Sequence, residues 1–534
     1  MNLDSPKKLV VYGRRFLFQV LFKKKYSLAS VVLSGLAIWS FSLERTESHR
    51  LHKDRSPKVN QASLSNSTRS LSPNFFCTNN NALRVTDWSD PNFVRAVNRL
   101  KPSMIRFPGG TVANYWDWHH GGLIEAFREG KDDFFYSFSV KDSQFNDGTL
   151  RNFRQGLDLT NTEPVLVLNM STSDLESQLE MLRTAKEEGL PIKYIELGNE
   201  LYIDVEDNRE IFPQPKDYAE RASEWISAIK AEFPQAKIAV VGVIPSPKKP
   251  ERLQAWNQSL IPQTLSKADA IVLHIYAGHA LGKKADNRQT YPFFDPADTK
   301  IILGQPFVKW QRVRDYPQFQ LLPSDRQIWI TEYNLFEDIF YGDGKGKKPK
   351  VMGSWAHGLF AITMSLLFLE ESRVEFICNH QLINNFNFGS ILPKTNSFID
   401  PVTGLALAEP YSLSASGSAL SMFGNAIDGM NQATAIEFDD AHTALGHNEF
   451  EYPTLYGWKF TNQKQQNSLI LNLSNRYKTI EISSLIDRNA RYETIFGSPR
   501  DLIAKPGTLK QKTGRANRTM ILPPYSVTKI SSSK

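Results

Sequence analysis

Two glutamates, Glu200 and Glu332, lie where apolar runs of the sequence end in polar residues. The first run ends in Gly-Asn-Glu at residues 198–200, and the second, residues 327–331, leads directly into Glu332. In a parallel barrel the carboxyl ends of the strands form the rim where catalytic side chains meet. Two carboxyl groups that face each other at such a rim can hydrolyse a glycosidic bond, because one donates a proton and the other attacks the anomeric carbon.

The segments that would position these glutamates alternate between short apolar runs and helical patterns, which is typical of βα units in a parallel sheet. Eight candidate strands lie at or begin near residues 76, 103–107, 164–169, 192–197, 237–241, 270–275, 327–331 and 374–378. Four candidate helices lie at residues 174–188, 215–233, 251–260 and 353–371. The pattern predicts an α/β fold, a (β/α)8 TIM barrel over residues 74–428, with Glu200 on strand four and Glu332 on strand seven.

The most apolar of these helices, around residues 355–369, resembles a membrane span in composition. It is short, contains His357 and ends at Glu370 and Glu371. A bilayer-spanning helix needs about 20 predominantly apolar residues. We therefore expect this helix to pack against the barrel.

The pattern changes after about residue 430, where apolar and polar residues alternate with period two. Residues 468–473 and 479–482 show this alternation, and Asn, Gly and Pro residues separate such segments. Period-two alternation predicts half-buried antiparallel strands. We expect a C-terminal antiparallel β-sandwich over residues 429–534.

The amino-terminal segment combines a basic region with an uncharged apolar stretch. Residues 26–43 carry no charge and are about long enough to cross a bilayer. The rule that basic residues stay inside predicts a transmembrane signal anchor, a cytoplasmic basic segment at residues 1–25 and an extracytoplasmic remainder. A cleaved signal peptide, which would leave a secreted protein, and a buried helix are the alternatives, although no A-x-A site follows. Residues 44–73 are polar and aperiodic, which predicts a flexible linker.

The net charge of +7 and the pI near 9.0 come largely from this basic segment, so we predict no nucleic-acid partner. The two cysteines, Cys77 and Cys378, exclude a disulfide-rich scaffold. They fall in the first and last predicted strands, which become neighbours when a barrel closes, and they can pair if their Cα atoms lie within about 7 Å. Two buried free thiols are the interpretation that we favour.

Several motifs in this order resemble those of the clan-A retaining glycosidases. Leu-Gly-Asn-Glu at residues 197–200 and Ile-Thr-Glu at 330–332 are similar to the acid/base and nucleophile segments of that (β/α)8 superfamily. Ile-Arg-Phe-Pro-Gly-Gly at 105–110, followed by Tyr-Trp-Asp-Trp at 115–118, resembles strand two of two groups, the heparanase/β-glucuronidase family and the α-L-arabinofuranosidases. Residues 521–528 resemble the last strand of the β-sandwich of these enzymes, so the resemblance covers about residues 74–534.

The resemblance implies roles for individual residues at the rim. Glu200 would be the acid/base and Glu332 the nucleophile, while Asn199 would hydrogen-bond the sugar 2-hydroxyl. The alternative for either glutamate alone is a solvated loop residue.

Five further residues are expected around the substrate. The resemblance implies that Arg106 and Tyr276 keep the nucleophile ionised and oriented, and that His274 lines the same rim. The alternative for Arg106 is a structural ion pair, for Tyr276 an ordinary strand-end aromatic, and for His274 a barrel histidine. Trp116 and Asp117 lie in a run that could form a sugar platform, although ordinary loop packing is the competing interpretation. We predict no metal there, because no third ligand is evident.

Two segments depart from the clan pattern or add to it. Asn-His-Gln at residues 379–381 stands where many clan members have a tryptophan, so the floor of the substrate pocket differs. Residues 342–350 form a Gly- and Lys-rich segment just past the second glutamate, which we interpret as a solvated insertion rather than a contact for an acidic polysaccharide.

The function that these expectations favour is retaining hydrolysis of a polysaccharide or glycoconjugate, of the heparanase/β-glucuronidase kind, by a membrane-anchored enzyme without a cofactor. An α-L-arabinofuranosidase or a transglycosylase would use the same two glutamates. An inactive barrel that binds glycan or acts as a scaffold is the alternative from a different class.

Overall fold

The structure, a computed structural model, describes residues 59–81, 87–124, 148–244, 251–278, 296–336, 351–384, 389–394, 409–439, 443–445, 450–486, 489–501 and 508–533. The predicted basic segment, the signal anchor and the first part of the linker lie outside the described residues. So does the Gly- and Lys-rich segment at residues 342–350.

Eight parallel strands form a closed barrel, as the sequence predicts. In chain order they are β2 (Phe76–Asn79), β3 (Met104–Phe107), β6 (Glu163–Leu168), β7 (Tyr194–Leu197), β8 (Lys237–Val241), β9 (Ala270–Gly278), β10 (Gln327–Phe336) and β11 (Val374–Asn379). Each strand pairs with the next one, and β11 pairs with β2 to close the ring. All eight predicted strands are confirmed, and most of them are apolar runs buried on both faces.

Helices follow the barrel strands along the chain, and several of them begin at side-chain caps. Asp90 and Asp174, for example, accept hydrogen bonds from backbone N–H groups in the first turns of the helices that follow them. The helices are α1 (Pro91–Leu100), α2 (Leu150–Thr160), α3 (Leu175–Glu187), α4 (Glu206–Ile211), α5 (Pro215–Glu232), α6 (Glu251–Thr264), α7 (Pro296–Arg314), α8 (Pro317–Gln320), α9 (Trp355–Leu367) and α10 (Ala415–Ile427).

The apolar helix α9 is buried along its whole length. It packs within the same core as the barrel, which confirms the expectation that it is a barrel helix. In the part of the chain that the structure describes, no helix combines the length and the apolarity that a membrane crossing requires.

A nine-stranded sheet, separate from the barrel, contains the C-terminal strands. Its order is β19 (Lys510–Arg515), β18 (Arg491–Phe496), β21 (Ser526–Ser533), β16 (Gln465–Asn472), β15 (Leu455–Thr461), β12 (Gln432–Phe438), β1 (Val59–Ser70), β17 (Lys478–Glu481) and β20 (Thr519–Leu522). Ile436 and Ile470 pack with Ile480 and Leu522 in a core of their own, so the sheet folds over itself as a sandwich. The remaining short strands are β4 (Trp116–Asp117), β5 (Gly122–Leu123), β13 (Thr443–Leu445) and β14 (Glu451–Pro453).

Two expectations about this sheet are wrong. Residues 59–70, which we placed in the flexible linker, form β1, which pairs antiparallel with β12 and parallel with β17. Its Asn60 and Ala62 are buried although the segment is polar. Residues 521–528 are not one strand, because Pro523, Pro524 and Tyr525 form a turn between β20 and β21.

Cys77 and Cys378 form a disulfide bond between the first and last barrel strands. The two residues are direct neighbours in the register of β2 and β11, and their Cα atoms lie 4.1 Å apart. Both side chains are fully buried inside the barrel. Our preference for free thiols is therefore wrong, since barrel closure brings the two strands into register.

Candidate active site

The two glutamates reach the barrel mouth from different local structures. Glu200 follows β7 by three residues and has a left-handed backbone, with φ of 49°. Gly198 precedes it with φ of +85°, and a Cβ there would lie 2.4 Å from a Leu201 methyl group. Glu332 lies within β10, the seventh barrel strand, which continues to Phe336, beyond the end at residue 331 that the sequence predicts. The Gly-Asn-Glu turn thus aims the first carboxyl group, and the strand itself aims the second.

The carboxyl groups of Glu200 and Glu332 lie close together. One carboxylate oxygen of each and one ring nitrogen of His274 are all within 4.8 Å of one another. Retaining glycosidases have their two carboxyl groups about 5–5.5 Å apart, and inverting ones about 6.5–9.5 Å apart. The arrangement has the spacing of the retaining class.

Arg106, on β3, is fully buried beneath the two glutamates and uses all five of its N–H donors. Two of them go to the Glu196 carboxylate, from Nε at 2.8 Å and from Nη2 at 2.7 Å. Nη2 also donates to Asn199 Oδ1 at 2.8 Å, and Nη1 donates to Asn79 Oδ1 at 2.7 Å. The fifth donor reaches Glu332 Oε1 at 3.0 Å. The guanidinium is therefore held in one orientation.

The surroundings of Glu332 favour its ionised form. The Tyr276 hydroxyl donates to its Oε2 at 2.5 Å, and the Arg106 guanidinium binds its other oxygen. Burial by itself raises the pKa of Glu332, but His274, His380, Arg106 and the Tyr276 hydroxyl together outweigh burial and hold the pKa well below 4.5. An ionised, oriented carboxylate is suited to act as a nucleophile.

Glu200 has different partners and is more open to solvent. Its side chain is 21% exposed, against 5% for Glu332. Its Oε1 lies 2.9 Å from Nδ1 of His274 and accepts a hydrogen bond from the Tyr202 hydroxyl at 3.1 Å. Burial lowers the pKa of His274, but the carboxylates of Glu332 and Glu200 outweigh burial and raise it above 6.5. The two carboxyl groups therefore have unequal environments, as opposite roles require.

Asn199, next to Glu200 in the chain, leaves both N–H donors of its side-chain amide unused in the described part of the chain. It is 1% exposed, and within the described residues its Nδ2 has no hydrogen-bond partner. Its backbone is fixed by Asn114, which accepts from Asn199 N at 3.1 Å and donates to Asn199 O at 2.7 Å. A buried donor without a partner costs about 1–3 kcal/mol, which a hydroxyl of a bound ligand would recover.

Trp116 and Asp117 lie apart from this cluster. The Trp116 ring is 2% exposed, packs edge-on against Phe107 at 5.2 Å and donates to Gly148 O. The carboxylate of Asp117 accepts from the backbone N of His119 at 3.0 Å and thereby stabilises a turn. A sugar platform needs an open ring face, so the platform interpretation of Trp116 is wrong and the loop-packing alternative holds.

Three residues of the cluster, Asn79, Glu196 and Tyr202, are absent from the sequence prediction, and a fourth, His380, appears there only as part of a departure from the clan pattern. His380 Nδ1 lies 3.6 Å from Glu332 Oε2, at the position where the clan pattern has a tryptophan. Glu196 carried a usable signal, because it is a charged residue in the middle of an apolar strand. Asn79 and Tyr202 carried none, since a polar residue near a strand end is common.

The same three side chains, Glu200, His274 and Glu332, also form a possible donor set for a cation. The two oxygens of Glu332 already bind Arg106 and Tyr276, so a cation would have to displace or share these contacts. Proton transfer and nucleophilic attack use the observed contacts as they stand.

The sequence matches no protein-family model and no curated protein. Solved structures do match. A family 51 α-L-arabinofuranosidase from Bifidobacterium longum superimposes with a TM-score of 0.66 at 14% identity, over 89% of this chain and 100% of that one. The Thermotoga maritima α-L-arabinofuranosidase, solved with arabinose, gives 0.60 at 16% identity, again over 89% and 100%.

A third match is a 4-O-α-L-rhamnosyl-β-D-glucuronidase from Fusarium oxysporum 12S. It gives a TM-score of 0.57 at 12% identity, over 88% of this chain and 100% of that one. The fold is that of these glycosidases. The resemblance to clan-A enzymes that the motifs suggested is thereby confirmed at the level of the barrel and its attached sheet domain.

Proposed function

We propose that this protein is a retaining glycoside hydrolase that acts on a polysaccharide or glycoconjugate. The observation that carries the proposal is the approach of the Glu200 and Glu332 carboxylate oxygens to within 4.8 Å of each other. Three supports accompany it: the ionised state favoured for Glu332, the different contacts of Glu200, and a fold shared with glycosidases.

The geometry fits a double displacement. In the first step the Glu332 carboxylate attacks the anomeric carbon, while Glu200 protonates the oxygen that leaves. In the second step Glu200 accepts a proton from water, and that water hydrolyses the glycosyl ester on Glu332. The unused Nδ2 of Asn199 donates to the sugar 2-hydroxyl, a contact that strengthens in the transition state.

Nucleophile rescue tests the two roles separately. With a dinitrophenyl glycoside, which needs little acid assistance, Glu332→Ala loses turnover, and azide restores it by forming a glycosyl azide of inverted configuration. Glu200→Ala is rescued by azide with retained configuration, after a loss of about 10²–10⁴-fold on substrates with poor leaving groups. Glu375→Ala is the matched control, because this barrel-strand carboxylate contacts Gln327 and Ser72 and no residue of the cluster. Azide products of the same configuration from both variants would contradict the assignment.

The first candidate for the glycone is a uronic acid. His380 supports it, because a half-buried imidazole in place of a tryptophan makes this part of the site polar, 3.6 Å from Glu332. The second candidate is an α-L-arabinofuranosyl group. It is favoured by Arg106, whose five donors are all engaged and which therefore offers none to a sugar carboxylate.

A panel of aryl β-glucuronide, α-L-arabinofuranoside, β-glucoside and β-xyloside decides between these glycones. For a uronide-cleaving enzyme, His380→Phe lowers kcat/KM on the glucuronide far more than on any neutral glycoside that is cleaved. Cleavage of the arabinofuranoside alone would select the second candidate. Product analysis in the presence of acceptor sugars separates hydrolysis from transglycosylation.

The alternative from another class, an inactive glycan-binding or scaffold barrel, gives a different outcome. It predicts no turnover on any glycoside and no covalent adduct with a 2-deoxy-2-fluoro glycoside. The hydrolase predicts such an adduct on Glu332, which peptide mass analysis locates.

We also propose that the enzyme is membrane-anchored, with the barrel outside the cytoplasm. Two observations support this topology. The basic segment precedes an uncharged stretch at residues 26–43, and the Cys77–Cys378 disulfide is of a kind that persists in oxidising compartments. Secretion after signal cleavage is the alternative.

A further inference from the structure

Strand β19 forms one edge of the nine-stranded sheet and is exposed along all six of its residues. Among the residues that the structure describes, it pairs with β18 on one side only, and the backbone N–H and C=O groups of its other side have no strand partner there. An edge strand of this kind can receive an extended partner chain.

Basic residues line this edge. We use the term basic edge for five exposed cations on β19, on β18 and in the turn after β19: Arg491, Lys510, Lys512, Arg515 and Arg518. Residues 508–533 contain no Asp or Glu at all. Within the described ranges, none of the five cations forms an ion pair. The nearby Glu493 instead contacts Lys529 and Gln511.

The arrangement has a cost that a solvated face alone does not explain. Arg491 lies directly opposite Arg515 in the antiparallel register of β18 and β19. Like charges at such a pair destabilise a sheet. Charged side chains on an edge strand protect it from aggregation, but that protection does not require like charges opposite each other, so we look for a partner that neutralises the five cations.

We propose that the basic edge binds an acidic polysaccharide. The six residues of β19 extend about 20 Å at about 3.3 Å per residue, which is long enough to follow several sugar rings. Carboxylate or sulfate groups pair with the cations, and the outward backbone N–H groups of β19 donate to the same polymer. The inference builds on the proposed hydrolase by naming its substrate class: a polyanion that the sandwich holds while the barrel cleaves.

Binding of the full-length chain, kept in a mild non-ionic detergent, to polygalacturonate tests this inference without any turnover. The variant Lys510→Gln, Lys512→Gln, Arg515→Gln is expected to bind at least about tenfold more weakly at low salt. Its binding is also expected to depend less on salt, because fewer counterions are released. The matched control, Lys216→Gln, Lys267→Gln, Lys300→Gln, removes equal charge from exposed positions on the barrel side and is expected to bind like the parent.

Equal losses in the two triple variants would overturn the inference, because they would show attraction to net charge alone. Binding to phosphatidylglycerol vesicles but not to polygalacturonate, or equal binding to neutral dextran, would overturn it as well. The basic-edge variant should hydrolyse a small aryl glycoside as the parent does. If no glycoside is cleaved but the loss of polymer binding is confined to the basic edge, the proposed hydrolase fails while the binding surface stands.

Discussion

At the level of single residues, the candidate chemistry depends on how Arg106 divides its five donors. Two of them are held by Glu196 and only one reaches Glu332. Glu196 takes no part in the proposed bond-making steps, but it fixes the guanidinium that in turn fixes the nucleophile. Both partners are fully buried, so this ion pair can hold its geometry but is sensitive to the loss of either charge. Glu196 is therefore a positioning residue.

Replacing Glu196 by Gln should lower kcat by roughly 100-fold while KM for an aryl glycoside stays within about threefold, because orientation of the nucleophile is lost rather than substrate binding. Breaking a buried pair also costs about 3–5 kcal/mol of folding stability. Glu375→Gln is the control, since Glu375 contacts Lys237 at 3.7 Å in another part of the barrel. A variant that is less stable but keeps the parent kcat would show that Glu196 is only structural.

The Tyr276 hydroxyl makes a testable contribution to the pH profile. Because the pKa of Glu332 is lowered in the folded protein, its ionised form persists below pH 4.5 and is lost as the pH falls through the shifted value. Tyr276→Phe removes a hydrogen bond to the carboxylate, so the acid limb of kcat/KM should move to higher pH by about one unit. Tyr202→Phe, which affects Glu200 instead, should leave the acid limb in place. An acid limb that moves to lower pH in Tyr276→Phe would contradict the assignment.

The residues that sequence reasoning found are those whose signal is local. Glu200, Glu332 and Arg106 lie at the ends of apolar runs or inside recognisable motifs. Glu196 acts through Arg106 on another strand, so only the closed barrel reveals its role. The sequence marks His380 as a departure from the clan pattern, but its approach to Glu332 is visible only in the structure. Trp116 was placed in the site wrongly rather than missed, because an aromatic motif does not distinguish an exposed ring from a buried one.

At the level of elements, burial explains which strands were predictable. The barrel strands are buried on both faces and read as continuous apolar runs. Strand β1 is polar and mostly exposed, with a register shift between Leu64 and Thr68. It forms a strand because it pairs with β12 and β17, which lie far away in the sequence, so nothing within residues 59–70 predicts it. Helix α10 escaped prediction because residues 415–427 are rich in Ala, Ser and Gly, which carry little periodic signal.

The Cys77–Cys378 bridge joins the first barrel strand to the last, so it should stabilise the closed barrel. Replacing both cysteines by Ala should lower the free energy of unfolding by about 2–4 kcal/mol. The measurement is chemical unfolding with and without reductant. Reductant should lower the free energy of unfolding of the parent, because unfolding exposes the bond to reduction. It should leave the free energy of unfolding of the double variant unchanged. Labelling of both thiols in the native protein by a thiol reagent would show that the bond does not form.

Strand β1 also decides where the chain can be shortened. It lies between β12 and β17, so removing it leaves two unpaired strand edges within the sandwich. A chain that lacks residues 1–58 should unfold at the same temperature as the parent in detergent, whereas one that lacks residues 1–73 should unfold at a lower temperature and aggregate. Thermal unfolding of the two truncated chains makes the comparison. Identical midpoints would mean that β1 adds nothing to the sheet.

At the level of the whole molecule, the first and the last described strands lie in the same sheet. Its first described strand, β1, lies in the C-terminal sheet, and its last strand, β21, lies in the same sheet. The first described residue, Val59, therefore begins a strand of the sandwich rather than a strand of the barrel.

The proposed topology depends on a narrow charge difference across residues 26–43. Seven Lys and Arg residues precede this stretch, and five follow it within residues 44–58, namely Arg45, Arg50, Lys53, Arg55 and Lys58. Since the side with more basic residues stays in the cytoplasm, replacing the first seven by Ser should turn part of the population around. Replacing the five later residues by Ser should leave the barrel entirely outside the cytoplasm.

Protease added to intact cells measures the orientation, because only an extracytoplasmic barrel is digested while the basic segment stays protected. The parent and the variant without the five later charges should both lose the barrel, and both should stay in the membrane fraction after an alkaline wash. The variant without the first seven charges should retain a protected fraction of the barrel. A parent chain recovered from the medium without residues 1–43 would establish signal cleavage instead. A parent barrel that is protected from the protease would contradict export, because the seven earlier charges would then not hold the amino terminus in the cytoplasm.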